Sequence, residues 1–231
     1  MERLYYMKHK KEIFIYGGLA GLLSCLSYAI LFTAPLEYVQ FPVTASQMNI
    51  VFYFWAGPFL AVFGIMNSYA IYRILAEEYQ GSLNRLAYLF SIIAFSYLAA
   101  MLLVQETLRI TLSERYVDAM NSATQELYTT LFLALDGLDL GIDLAWDLFL
   151  SISLILTGYV MSRHSQFKVW FGIPAMICGA LLLILNGVTA PFPPNTRGLF
   201  DAGPLVGFYS LVVSIYMIII GFKMRRRRHN E

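Results

Sequence analysis

Charge is scarce in this chain of 231 residues: only 13% is Asp, Glu, Lys or Arg, against 58% hydrophobic residues. A mean hydropathy of +0.62 lies far from the soluble, globular balance. Cysteine is nearly absent; the two present, Cys25 and Cys178, fall in apolar stretches, which leaves no disulfide framework and suits small buried hydrophobes. The three histidines, His9, His164 and His229, border basic segments and cannot join the aspartates described below in a zinc site. No CxxC, Gly-rich phosphate loop or nucleophile–base pair occurs, and no low-complexity linker divides the chain. These absences weigh against an enzyme and favour one domain over residues 1–231.

Long uncharged runs are what the sequence does have. They separate Glu12 from Glu37, Glu37 from Arg73, Arg85 from Glu106, Lys168 from Arg197 and Asp201 from Lys223. Each holds the roughly 20 residues a helix needs to cross a hydrocarbon core. A further span must end at Arg163, but only residues 148–162 are uncharged before it, about 22 Å of helix. That helix must recruit residues N-terminal to Asp147. The expected fold is all-α and polytopic, with spans near 13–34, 50–71, 86–105, 142–162, 169–190 and 202–222. The first, preceded by Lys8, Lys10 and Lys11, is too long for a signal-peptide core and lacks a small-residue cleavage site, so it is expected to persist as a helix.

Six spans put Arg3, Lys8, Lys10, Lys11, Arg73, Arg85, Arg163, Lys168, Lys223 and Arg225 to Arg228 on one side, thirteen of sixteen basic residues. Arg109, Arg115 and Arg197 remain on the other. The positive-inside rule predicts a multi-pass cell-membrane protein with both termini cytoplasmic. Ten acids then face outward against three bases, a field near −7 that draws cations. The terminal arginine run suits anionic headgroups rather than nucleic acid.

The chemistry-bearing motif is Asp136-Gly-Leu-Asp139-Leu-Gly-Ile-Asp143-Leu-Ala-Trp-Asp147. At about 100° per residue the four aspartates occupy an arc of roughly 80°, with Leu138, Ile142, Ala145 and Phe149 on the opposite, lipid-suited face. Ionisable groups in a span are costly and mark function by default. The stripe is expected to descend into the membrane from outside and line an acidic, outward-facing vestibule, with Asn186 able to add an amide oxygen. Glu106, Arg109, Arg197 and Asp201 are the available counter-charges; Arg109 can pair with Glu106 at i,i+3 or neutralise Asp143 or Asp147. Oxygen-rich acids suit a hard divalent cation, with Asp143 and Asp147 as candidate metal ligands. The leading expectation is a small cation- or proton-coupled transporter or sensor. The alternatives are a membrane-embedded, metal-dependent lipid-modifying enzyme and a structural or accessory subunit.

Three glycine pairs, Gly17 with Gly21, Gly137 with Gly141 and Gly203 with Gly207, have the spacing of close helix contacts, including helix-mediated homo-oligomers. Ser122-Ala-Thr-Gln125 fits a capping box, so the fourth helix is expected to begin there and project beyond the bilayer.

Two resemblances bear on this reading. Asp136-Gly137 and Asp143-xxx-Asp147 resemble fragments of the metal-binding run of the CDP-alcohol phosphatidyltransferases, six-helix membrane enzymes, which implies a metal held by these acids. The Ala-Arg of that run is missing, and Asp139 stands in place of its second glycine. Six spans, Lys168-Val-Trp170-Phe171-Gly172 and the Gly203-Pro204 opening of the last span resemble an uncharacterised prokaryotic family of six-helix integral membrane proteins. That likeness implies architecture and no functional residue.

Overall fold

The structure is a computed structural model that describes residues 2–33, 41–43, 47–189 and 202–227. It holds six helices: α1 (Glu2–Phe32), α2 (Gln47–Leu75), α3 (Ser82–Val117), α4 (Ser122–Arg163), α5 (Lys168–Thr189) and α6 (Gly203–Arg227). All six are long and apolar enough to cross a membrane, and no strand occurs among the described residues. The apolar runs impose this outcome, because backbone groups in hydrocarbon must be satisfied within the segment itself.

Two helices continue past their expected membrane spans, and α4 starts at Ser122, where the capping box placed its beginning. α3 runs for 36 residues and α4 for 42, about 54 and 63 Å at the helical rise. They are the two longest helices and form an antiparallel hairpin. α4 continues unbroken through Gly137 and Gly141. Its cap lies one residue before the expected box: the Asn121 side chain accepts a hydrogen bond from the Thr124 amide at 2.9 Å. The hairpin tip has its own small core, in which Phe41 stacks on Phe132 with ring centroids 4.5 Å apart beside Leu112 and Leu135.

Neighbours in sequence are neighbours in space, and α1 closes the circuit against α6, whereas α5 leans on α4 and barely meets α6. Glycine sets two of these contacts. A Cβ on Gly21 would lie 2.6 Å from Asn67 Nδ2, and Asn67 donates to the Gly17 carbonyl at 2.8 Å, so the first glycine pair is a true close approach. The closest α4–α5 approach uses Gly158 and Gly172 instead, each placed against the other's carbonyl. Gly137 and Gly141 face open space. The largest buried cluster joins Phe14, Ile74, Leu75, Val160, Phe167 and Met217 at the end carrying the short loops 76–81 and 164–167.

Candidate functional site

The aspartate stripe does not present one face to one partner. Because α3 and α4 are antiparallel, levels nearer the turn on one helix face levels nearer the turn on the other, and the observed register sets the Arg109 level of α3 against the Asp136 level of α4. Arg109 therefore reaches Asp136, at 3.6 Å, and not the deeper Asp143 or Asp147. Asp147 lies about 16 Å further along α4 by the helical rise. The Arg109 guanidinium also sits 5.7 Å from the centre of the Phe132 ring, which holds it at this level. One turn deeper, Asp139 is 6% exposed and Glu106 5% exposed. Their charges act on one another and on Arg109. Gln105 lies beside Asp139. Neither carboxylate oxygen of Asp139, nor Oε2 of Glu106, has a hydrogen bond of normal geometry among the described residues.

Below this cluster the stripe meets α5. Asp147, 3% exposed, accepts a hydrogen bond from the Asn186 side chain. Asn186 belongs to the last turn of α5, so the helix that covers Asp147 ends before it can cover Asp139 or Asp136. Asp143 is half-buried between the two levels. Arg197 and Asp201 lie outside the described residues. Asn186 meets the stripe through its amide nitrogen, as a donor to the Asp147 carboxylate.

The face opposite the stripe corrects the sequence reading. Leu138 is exposed, but Phe149 stacks on Phe90 and Tyr97 of α3, and Ile142 packs on Leu60, Leu98 and Met101. An aromatic residue on a membrane helix faces lipid or a neighbour with equal apolar gain, so hydropathy alone does not separate them. Among the described residues, no group of three or more His, Cys, Asp or Glu side chains is placed to hold a metal ion. Asp136 and Asp147, which the phosphatidyltransferase resemblance would join at one metal, have separate partners on α3 and α5.

A second feature was not anticipated. A partly open cavity of about 1030 Å³, its mouth included, lies among α1, α2, α3, α4 and α6. Its wall carries Tyr72, Tyr88, Trp146, Thr157, Tyr209 and Ser210 among others and, among the described residues, no acidic or basic side chain. None of the four aspartates lines it. Scattered serines and tyrosines on five helices share no sequence spacing, which is why no motif announces the space.

Six apolar helices with buried polar groups between them define a multi-pass α-helical membrane protein. No protein-family model, curated protein or solved structure matches the chain, so no relative lends it a function.

Proposed function

We propose that the protein is a proton-coupled transporter or sensor, with both termini cytoplasmic and an outward-facing acidic site formed by Glu106, Asp136 and Asp139 around Arg109. The observation that carries this reading is the charge count in a nearly dry site. Among the described residues three carboxylates share one guanidinium, and two of the three are about 95% buried. Full ionisation would leave two uncompensated negative charges out of water, at a cost of several kcal/mol per ion. A proton removes that cost without a set of ligands. A hard cation needs more oxygens than this geometry assembles. Asp147 has a different role in this reading, joining α4 to α5 through Asn186.

Infrared difference spectra between about pH 8 and pH 5 test the site, because a carboxyl that takes up a proton in this interval adds a carbonyl stretch. The band is expected to shrink in Glu106→Gln and Asp139→Asn and to persist in Asp147→Asn. A band unchanged in the first two removes the proposed proton site. A thermal stabilisation by divalent cations that chelation reverses replaces the proton with a metal. The orientation has its own check: a cysteine at Ala119, in the turn between α3 and α4, is expected to react with an impermeant maleimide on intact cells.

A further inference from the structure

We propose that the outer seam between α2 and α3 binds one anionic phospholipid, its phosphate held by Arg73 and Arg85 and an acyl chain lying on the apolar surface beyond them. This site is independent of the acidic cluster, because Arg85 opens α3 and stands about 30 Å by the helical rise from Glu106.

Arg73 occupies the last turn of α2 and Arg85 the first turns of α3, so the short loop 76–81 brings both to one end of the bundle. The Asn84 side chain donates to the Tyr72 carbonyl at 3.2 Å and fixes the register of the two helices there. Tyrosines line the seam. The Tyr88 ring lies 5.0 Å from that of Tyr72 and 5.9 Å from that of Tyr69, yet Tyr69 is 44% exposed, so the seam opens outward at this pair. Arg73 donates to the Tyr69 hydroxyl at 2.9 Å, which holds its guanidinium at the seam. Arg85 precedes Tyr88 by three residues and so shares its face of α3. Both arginines are exposed, and neither pairs with a carboxylate among the described residues. The nearest acids in sequence, Glu77 and Glu78, are taken by Lys10 and by Ser165. Two unpaired guanidiniums flanking phenol hydroxyls complement a phosphodiester. The surface beyond them fits a lipid rather than a free anion. Val62 and Met66 continue the line of Tyr69 along α2, and Leu89 and Ile93 continue that of Arg85 along α3, all four exposed. From Arg73 to Val62 the helix rises about 16 Å, close to half of a roughly 30 Å hydrocarbon core, which is the depth of one leaflet.

The test titrates the full chain in detergent micelles with phosphatidylglycerol and, separately, with phosphatidylcholine of the same acyl chains, and counts bound lipid by native mass spectrometry. One phosphatidylglycerol is expected to bind at least about tenfold more tightly than phosphatidylcholine, equivalent to 1.4 kcal/mol. Arg73→Gln and Arg85→Gln replace exposed side chains and should keep the fold, and each should weaken that lipid by about fivefold. Should one of them not fold, the other and the lipid series decide. Lys223→Gln removes an exposed base from α6 and should leave the affinity unchanged, which separates the seam from a general effect of charge. Equal affinity for the two lipids overturns the proposal. So does an affinity unchanged in both arginine variants, or an equal loss in Lys223→Gln. Displacement of the lipid by inorganic phosphate, beyond that by chloride at equal ionic strength, overturns it as well, because a free-anion site behaves in that way.

Discussion

His164 Nε2 lies 3.1 Å from the carbonyl of Ile74 and so ties the loop between α4 and α5 to the end of α2. The Gln166 amide donates to Nδ1 of the same ring at 3.2 Å, which requires the neutral tautomer with its proton on Nε2. Protonation of Nδ1 would displace the Gln166 amide. Around the ring, Glu78 accepts hydrogen bonds from the Ser165 amide and hydroxyl, and Lys10 pairs with Glu77. These contacts bind α1, α2, α4 and α5 together at one end of the bundle.

The first prediction concerns acid. Burial holds His164 below its ordinary 6.5, against the attraction of Glu78. Its unfolded form therefore gains a proton first, and its contribution to stability is full above pH 6.5 and falls as the pH drops below that value. For Glu78, burial pushes upward, but the Ser165 hydrogen bonds and the neighbouring His164 and Lys10 bring it below 4.5. That contribution is present above 4.5 and is lost on further acidification. Thermal melts in detergent are expected to show a melting temperature that declines from about pH 6.5 downward. His164→Gln should flatten the upper part of the decline, and His164→Ala should cost about 2 kcal/mol at neutral pH.

Among the described residues Arg109 is the sole guanidinium at the acidic cluster, and its removal leaves Glu106, Asp136 and Asp139 without that counter-charge. Arg109→Gln is expected to destabilise by about 3 kcal/mol, because it exposes the uncompensated charge of buried partners. In an Asp139→Asn background the same substitution should cost less than half as much. A double-mutant cycle from melting curves measures this coupling; strictly additive costs would mean that Arg109 does not act on Asp139.

Glycine gives a contrast within one helix pair. A Cβ on Gly172 would meet Ser162 N at 2.6 Å as well as the Gly158 carbonyl, so Gly172→Ala should cost about 2 kcal/mol. Gly137→Ala and Gly141→Ala meet nothing within 4 Å and should be neutral or stabilising by up to about 1 kcal/mol through helix propensity. Loss of stability at Gly137 together with a change of mass in size-exclusion chromatography would mark this open face as the contact between two copies.

At the α4–α5 contact, Asn186→Ala should cost roughly 1 kcal/mol, typical of an interhelical side-chain bond in a membrane bundle. Asp147→Asn keeps a bonding group beside Asn186 and is expected to change the melting temperature less. A larger loss for Asp147→Asn than for Asn186→Ala would show that the carboxylate charge itself is needed there.

The architecture was legible from the spacing of charged residues. Arg73, Arg85, Arg163 and Lys168 bracket apolar runs that have no other stable state in lipid, and the shortfall between Asp147 and Arg163 correctly required a helix that begins earlier. The acidic stripe was equally legible, since helical geometry alone places Asp136, Asp139, Asp143 and Asp147 together. Their partners were not. A face 80° wide is broad enough for two neighbours, and which carboxylate meets which depends on where α5 stops and on the α3–α4 register. Neither quantity is encoded near Asp147. Arg109 accordingly pairs with Asp136 although three other acids were in range by sequence.

Hydropathy and helical periodicity are local properties, and they dictated six apolar helices, the acidic ribbon on the fourth, and the glycines of the first. Everything that depends on distance between helices came from packing: Arg109 against Asp136, Asn186 against Asp147, His164 against Ile74, and the uncharged cavity beside Trp146. The reason is that lipid rewards an apolar side chain as much as a neighbouring helix does, so burial in this chain is settled by shape and hydrogen bonding between helices far apart in sequence.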